Sequence, residues 1–225
     1  MKRAPLVVLC LVLAGVFVAL GIWQVERRAW KLGLIARVDA RLHAPAQPLP
    51  PRSAWGRDLA YRRVRLAGSF LHGSETLVQA VTARGAGWWV LTPLRTAGGI
   101  VLVNRGFVPQ ERRTPASRRE GQVAGRVVVS GLIRTSEPGG AFLRSNDPVG
   151  DRWYSRDVIA IASARGLGAT APFFIDADAR ANPGGLPVGG LTVVAFQNSH
   201  LVYAITWFAL AALCLFGARL AARRP

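Results

Sequence analysis

The sequence predicts a membrane protein that is otherwise mainly β. In this fold class, two transmembrane helices flank an antiparallel β-barrel-like extramembrane domain with one helix. Three observations support it. Two long segments lack charged side chains, and short alternating segments fill the region between them. The mean hydropathy is positive (+0.25) although the net charge of the 225 residues is +17. Apolar residues must therefore be concentrated in a few segments, which is typical of a membrane protein.

Residues 4–23 form the first uncharged segment, and a helix of this length, at about 1.5 Å per residue, crosses roughly 30 Å of hydrocarbon. Residues 201–218 form the second, in which Tyr203, Thr206 and Trp207 offer polar atoms. In hydrocarbon each segment can satisfy its backbone groups only as a helix, so we expect two spans. A cleaved signal peptide is the alternative for the first segment, but its apolar run is longer than usual and helical character continues beyond it.

The charges beside the spans predict their orientation. Lys2 and Arg3 precede the first span, and arginines follow the second in a tail at residues 219–225. By the positive-inside rule both termini are cytoplasmic, which places residues 24–200 in the periplasm and the protein in the inner membrane of a bacterial cell. This loop carries 24 of the 29 basic residues, but they are scattered and no nucleic-acid-binding module is visible. We therefore expect the protein to have a lipid membrane as a partner and not to bind nucleic acid.

The loop divides into a linker and a domain. Residues 24–60 are predicted to extend the first helix and then form a Pro-rich linker, and residues 61–200 to form the periplasmic β-rich domain. Strands are predicted at residues 61–70, 75–81, 87–94, 100–108, 123–134 and 191–196. Gly98-Gly99 predicts a hairpin turn. One helix is predicted over residues 158–165, with Ser155 as its N-cap.

The sequence shows no recognisable catalytic constellation. No phosphate-binding glycine motif, nucleophile elbow or zinc-protease motif occurs, and both cysteines, Cys10 and Cys214, fall within the predicted spans. Asp176 and Asp178 are expected in a solvated loop. Arg105, at the end of an apolar strand, either pairs with an acid at the sheet edge, the favoured interpretation, or contacts a partner. We therefore expect no enzymatic activity.

His200 is the residue that the sequence nominates for ligand binding. It lies at the start of the second span and, at helical spacing, shares one face with Tyr203, Ala204 and Trp207. An imidazole at the membrane edge can ligate the iron of a planar apolar ring, although an interfacial helix cap beside an aromatic belt is the alternative. Arg27 and Arg28, just outside the first span, could bind carboxylates such as haem propionates, but anchoring of lipid phosphates is the favoured interpretation of this pattern.

A series of motifs along nearly the whole chain carries a family resemblance. In chain order, they include Gly21-Ile22-Trp23-Gln24, Tyr61-Arg62-Arg63-Val64, Gly68-Ser69-Phe70, Thr92-Pro93-Leu94, residues 101–109, Gly131-Leu132-Ile133-Arg134, Trp153-Tyr154-Ser155-Arg156-Asp157 and Asn198-Ser199-His200-Leu201. In this order, between two spans, they resemble the Surfeit locus protein 1 (Surf-one) family of cytochrome c oxidase assembly factors. Ser199 and Phe107 depart from the usual residues of the family, but neither change removes a ligand.

The resemblance implies a function. Family members help to build subunit I of the terminal oxidase at the stage at which haem a is inserted, so it implies subunit I and haem a synthase as partners. It also implies haem a as the cofactor and His200 as the iron ligand. In the hypothesis that follows, the helix face with Tyr203 and Trp207 cradles the ring, and Arg27 could meet its propionates. The alternative is a membrane scaffold that stabilises a nascent oxidase subunit without binding haem.

Overall fold

A computed structural model describes residues 4–141 and 143–223, which divide into two compact units. The helical unit contains the described residues of 4–39 and 194–223, and the β unit contains residues 40–193 apart from residue 142. The described residues form three α-helices: α1 (Ala4–His43), α2 (Val158–Ala164) and α3 (His200–Arg223). By length and composition, α1 and α3 are apolar enough to cross a membrane. The predicted pair of apolar helices around a mainly β domain is confirmed.

Short strands build the β unit. Those in the described residues are β1 (Gln47–Pro48), β2 (Arg63–Phe70), β3 (Thr76–Thr82), β4 (Gly85–Thr96), β5 (Gly99–Pro109), β6 (Arg126–Thr135), β7 (Gly140–Ala141), β8 (Arg144–Ser145) and β9 (Thr170–Ala177). Strands β2, β6, β9, β5 and β4 pair in that order, and β4 pairs again with β2, which closes a five-stranded barrel. The pairs are antiparallel except β5 with β9 and β1 with β2. The predicted barrel-like domain therefore exists, with two parallel pairs in it.

Alternation along the barrel strands creates two hydrophobic cores. Val103 of β5 and Ile175 of β9 belong to a core to which all five barrel strands contribute, and this core fills the barrel. Their neighbours Leu102 and Phe174 belong to a second cluster, which includes Ile161 of α2 on the outside of the barrel. Because successive side chains of a strand point to opposite faces, a residue's position on β5 or β9 decides which core it joins.

Two strand assignments from the sequence were wrong. Strand β9 was missed because Pro172 and the acidic residues at its end obscure the local pattern; it is a strand because β5 and β6 both pair with it. Residues 191–196 alternate but form no strand. An alternating segment becomes a strand only where a sheet edge supplies hydrogen-bond partners, and the pairing of β2 with β4 closes the barrel before this segment is reached.

The predicted helix cap and hairpin turn are each displaced by one or two residues. Asp157, rather than Ser155, is the N-cap of α2, because its side chain accepts a hydrogen bond from the first turn. The Ser155 hydroxyl instead donates to the carbonyl oxygen of Glu137 at 2.6 Å. The turn between β4 and β5 consists of residues 97–98. Gly99 already belongs to β5, with a φ of +130° that glycine adopts without strain.

Candidate functional site

The helices α1 and α3 pack against each other along a seam of small and aromatic residues. The seam residues recur at intervals of three and four; they are Ala14, Phe17, Gly21 and Gln24 on α1, and His200, Ala204, Trp207 and Ala211 on α3. The rings of Phe17 and Trp207 stack with 5.6 Å between their centroids. A Cβ on Gly21 would lie 2.6 Å from the ring of Phe208, so glycine permits the close approach, as small residues do between membrane helices.

His200 begins α3 at one end of this seam and contacts Gln24 of α1. Its Nδ1 lies 2.7 Å from Gln24 Oε1, and Gln24 is only 9% exposed. Because an amide oxygen can only accept, Nδ1 is the protonated ring nitrogen and donates this hydrogen bond. In the neutral imidazole with this proton position, Nε2 carries the free lone pair, which is the form that ligates a metal ion.

The aromatic residues predicted for the site have different surroundings. Tyr203 is 55% exposed and lies on the face of α3 beside the seam, one turn from His200. Trp207 lies within the seam, two turns from His200, and its indole faces Phe17. Although the helical spacing of these residues is regular, the packing of α1 covers Trp207 and leaves Tyr203 outside.

On α1, Arg27 lies one turn beyond Gln24. Arg27 is exposed, and its guanidinium carbon is 4.1 Å from the ring centroid of Trp30 on the same helix. No local pattern in the sequence assigns a role to Gln24, which the structure pairs with His200. The available signal was an amide directly after the uncharged run of residues 4–23, since polar side chains in such segments face the protein interior.

The β unit contains a buried ionic cluster around Asp176, which is 2% exposed. Asn104 Nδ2 donates to its Oδ1 at 2.7 Å, and Arg134 Nη1 donates to its Oδ2 at 3.0 Å. Arg156 Nη1 lies 3.3 Å from Oδ1 and also binds Glu137. Burial opposes the charge of Arg156, but the hydrogen bond to Glu137 and the charge of Asp176 outweigh it and raise the pKa of Arg156. The predicted solvated loop is therefore wrong for Asp176, which β9 carries into the protein.

Arg105 follows Asn104 on β5 and faces the other way. It is 2% exposed, and its Nη2 donates to the carbonyl oxygen of Gly121 and, at 3.2 Å, to Asn182 Oδ1. The favoured prediction of an acidic partner at the sheet edge is wrong, since Arg105 forms no ion pair with an acid of the described residues. Burial is the main cause that lowers the pKa of Arg105 to about 10, so it remains a cation near neutral pH.

Known proteins are similar in sequence to this chain over most of its length. A profile of the SURF1 family matches residues 11–212. Surfeit locus protein 1 of Rattus norvegicus is 41% identical over 210 residues, which cover 86% of this chain and 68% of that protein. The Homo sapiens protein of the same name is 37% identical over 211 residues (86% and 69%). A SURF1-like protein of Monosiga brevicollis is 40% identical over 210 residues (87% and 79%).

Two apolar helices that flank a closed five-stranded barrel are consistent with a two-span class of membrane protein. Within that class, the chain belongs to the SURF1 family, and the resemblance inferred from the order of its motifs is confirmed. Members of this family are known as cytochrome c oxidase assembly factors, and the names of the relatives describe no catalytic activity.

Proposed function

We propose that this protein is an assembly factor for cytochrome c oxidase that binds haem a through His200 and passes it to subunit I. The observation that carries the proposal is the hydrogen bond between His200 Nδ1 and Gln24 Oε1. A second partner on the unused ring nitrogen fixes both the tautomer and the orientation of metal-binding histidines, and it strengthens their basicity. His200 has such a partner and presents Nε2.

The residues around His200 suit a haem better than a bare metal ion. Within residues 4–141 and 143–223, no group of three His, Cys, Asp or Glu side chains could share a metal ion. A haem brings four ring nitrogens to its own iron, so that a single imidazole is sufficient to attach it. Here haem a is the cargo rather than a resident cofactor, and its iron supplies the redox centre of the finished oxidase.

The positions of Tyr203, Trp207 and Arg27 assign them separate tasks in this proposal. Tyr203 offers an exposed ring beside His200 and would contact one side of the macrocycle. Trp207 is stacked on Phe17, so it would support the ring from within the seam by holding the two helices together. The Arg27 guanidinium, one turn beyond Gln24 on α1, would pair with a propionate, for which guanidinium is the preferred donor.

The proposed topology puts the β unit in the periplasm and both termini in the cytoplasm of a bacterial cell, with the spans in the inner membrane. Arg219 and Arg223 at the end of α3 support it by the positive-inside rule. Lys2, Arg3 and Arg224, which also entered the prediction, lie outside the described residues. Subunit I, haem a synthase and the surrounding lipid are the proposed partners, with no step catalysed by this protein and no nucleic acid involved.

A scaffold that holds a nascent oxidase subunit without haem is the second candidate. The stack of Phe17 on Trp207 favours it, because the seam between α1 and α3 is closed along the face that the sequence assigned to the ring. In this alternative, the hydrogen bond between His200 and Gln24 holds the two helices together, as polar side chains do between membrane helices.

An absorption spectrum separates the two candidates. The full-length protein is purified from cells that make haem a, as the wild type, His200→Ala and His43→Ala, the last being a matched change at a histidine outside the site. We expect a Soret band in the wild type and in His43→Ala, and none in folded His200→Ala. Gln24→Leu should weaken haem binding about 10- to 100-fold, as loss of a histidine's hydrogen-bond partner does.

Two other outcomes of this experiment would contradict the proposed haem binding by His200. A wild-type protein that is folded but lacks the band, and that still co-purifies with subunit I, supports the scaffold. A Soret band that persists in folded His200→Ala would show that the protein binds haem but that His200 is not the iron ligand.

A further inference from the structure

A cavity of about 230 Å³ lies at one end of the barrel interior. Val103 of the barrel core lines it, together with Phe70, Val127, Val129 and Ala177, which pack against that core. The rim includes exposed residues such as Val128 and Arg180, so the cavity opens to the surroundings. Its walls are therefore mostly hydrocarbon, with access from outside.

Among the charged residues that line the cavity, Arg105 is the buried one, and it is 2% exposed. Its Nη2 is bound by Gly121 and Asn182, but Nε and Nη1 are buried without a hydrogen-bond partner in the described chain. The guanidinium carbon is 4.7 Å from the ring centroid of Phe70. A buried cation with unmade hydrogen bonds costs free energy unless an anion or another acceptor satisfies it.

The nearby charges leave a positive balance. Glu75 is the acid that acts on Arg105, but both of its oxygens bind Arg118, so this group of three carries one net positive charge. Asp178 also lines the cavity, and its carboxylate accepts a hydrogen bond from the backbone of Arg180. The guanidinium of Arg180 lies on the rim, and its positive charge balances the negative charge of Asp178.

Two further buried side-chain nitrogens without partners lie in the same segment of the barrel end. Gln122 Nε2 and His72 Nδ1 are buried and unpaired in the described residues. The other ring nitrogen of His72 lies 2.9 Å from the carbonyl oxygen of Val123, which lines the cavity. Unpaired buried polar groups are rare in native proteins, and here three side chains that carry them cluster around residues 121–123.

We propose that this cavity is a binding site for a small organic acid, with the carboxylate on Arg105 and an apolar chain along the valines. Carboxylates form the strongest hydrogen bonds with guanidinium groups, and a concave apolar site with one convergent charged group is the common form of a ligand pocket. The volume lies below the roughly 300–1,000 Å³ of pockets for drug-sized ligands, so the acid is a short one. This site is in the β unit and does not depend on the proposed haem binding.

Hexanoate is a suitable probe because it joins a carboxylate to a short apolar chain. The full-length protein in lipid nanodiscs is titrated with carboxyl-labelled hexanoate, and binding is followed by carbon-13 NMR, with empty nanodiscs as the control for partition into lipid. We expect saturable binding to the protein alone. Hexan-1-ol and hexylamine, which keep the chain but lack the anion, should show no saturable binding.

Two variants test the two halves of the site. Arg105→Met should weaken hexanoate binding by about tenfold or more, as loss of a charge-assisted hydrogen bond predicts. Val127→Phe keeps the cation but fills the apolar wall and should also abolish binding; it decides the matter if Arg105→Met fails to fold. His200→Ala should bind hexanoate as the wild type does, which separates this site from the proposed haem ligand.

Three results would overturn the proposal. They are the absence of saturable binding to the folded wild type, equal binding of hexan-1-ol and hexanoate, and unchanged affinity in folded Arg105→Met.

Discussion

Asn104 and Arg105 are neighbours on β5, but the buried charges on their two sides of the strand differ in how many hydrogen-bond partners they have. Asn104 points to the outside of the barrel and binds Asp176, whose carboxylate accepts from Asn104, Arg134 and Arg156. Arg105 points to the barrel end, where acceptors reach only one of its three nitrogens. One buried charge is therefore surrounded by partners, and the other keeps part of its binding capacity.

This contrast distinguishes structural from functional buried charges in this fold. A charge whose partners come from several elements ties those elements together, and removing it leaves the partners unpaired. A charge with free donors beside a cavity contributes little to holding the fold and is available to a ligand. Substitutions at the two positions should consequently differ in stability cost, and at Arg105 binding should suffer more than stability.

The largest expected effect is that of Asp176→Ala. It leaves Arg134, Arg156 and Asn104 without their shared acceptor in a buried place, and breaking a buried ion pair from one side costs about 3–5 kcal/mol. Thermal unfolding of the full-length protein, followed by the circular dichroism of the β unit, measures it.

The matched control for this change is Asp178→Ala, two residues later in the chain. Asp178 is only partly buried, and its carboxylate accepts from the backbone of Arg180, so the cost should be below about 1 kcal/mol. Equal losses in the two variants would mean that the Asp176 cluster does not hold the β unit together.

Arg105→Met should have a smaller effect on stability. The variant loses the hydrogen bonds to Gly121 and Asn182, but it also removes a buried cation from an apolar wall, and these contributions oppose each other. We expect a net change within about 1 kcal/mol in the same unfolding measurement. A loss as large as that of Asp176→Ala would show that Arg105 is a structural charge after all.

The pKa of Arg105 offers a test of the same comparison in alkaline solution. Burial lowers the native pKa of Arg105 to about 10, well below its usual range, so between the native and the usual pKa the unfolded chain binds more protons than the native protein. The free energy of unfolding then rises with pH in this window. The stability of the wild type relative to Arg105→Met should be constant near neutral pH and increase above about pH 10; a constant difference there would contradict the lowered pKa.

The smallest effect is expected at the exposed ion pair of Arg152 and Asp147. A hydrogen bond from the Gly150 backbone, and after it Arg152, lowers the pKa of Asp147, but both side chains are in contact with solvent. Exposed pairs contribute little, so Arg152→Ala should unfold as the wild type does near neutral pH. What Asp147 contributes is present above its usual pKa and is lost as the pH falls through the lowered one. An acid titration of the unfolding midpoint, compared between the two proteins, measures it.

Much of the fold could be predicted from the sequence, because hydrophobic segments and strand patterns are local properties. The two uncharged segments became α1 and α3, and five of the six predicted strands exist with bounds shifted by a few residues. Strand β9 could not be predicted in this way, since it depends on two distant strands that pair with it. The same reason explains the false strand at residues 191–196, whose pattern lacked a partner.

The candidate site was predicted only in part. His200 could be nominated from its place at the start of an apolar helix, and the motif order pointed to the family. Its partner Gln24 is 176 residues away, and no spacing rule connects residues at that distance. Tyr203 and Trp207 share a helical face by spacing, but only the packing of α1 decides that one is exposed and the other covered. The roles of these residues in haem binding stay predictions.

Three properties could be predicted from the sequence alone: two helices apolar enough to cross a membrane, a mainly β region between them, and the family to which the chain belongs. These properties follow from composition, local periodicity and motif order. Only the tertiary structure decided the partners of His200, Asp176 and Arg105. Hydrogen bonds and ion pairs form between side chains that folding brings within about 3 Å, and distance along the chain carries no information about which pairs those are.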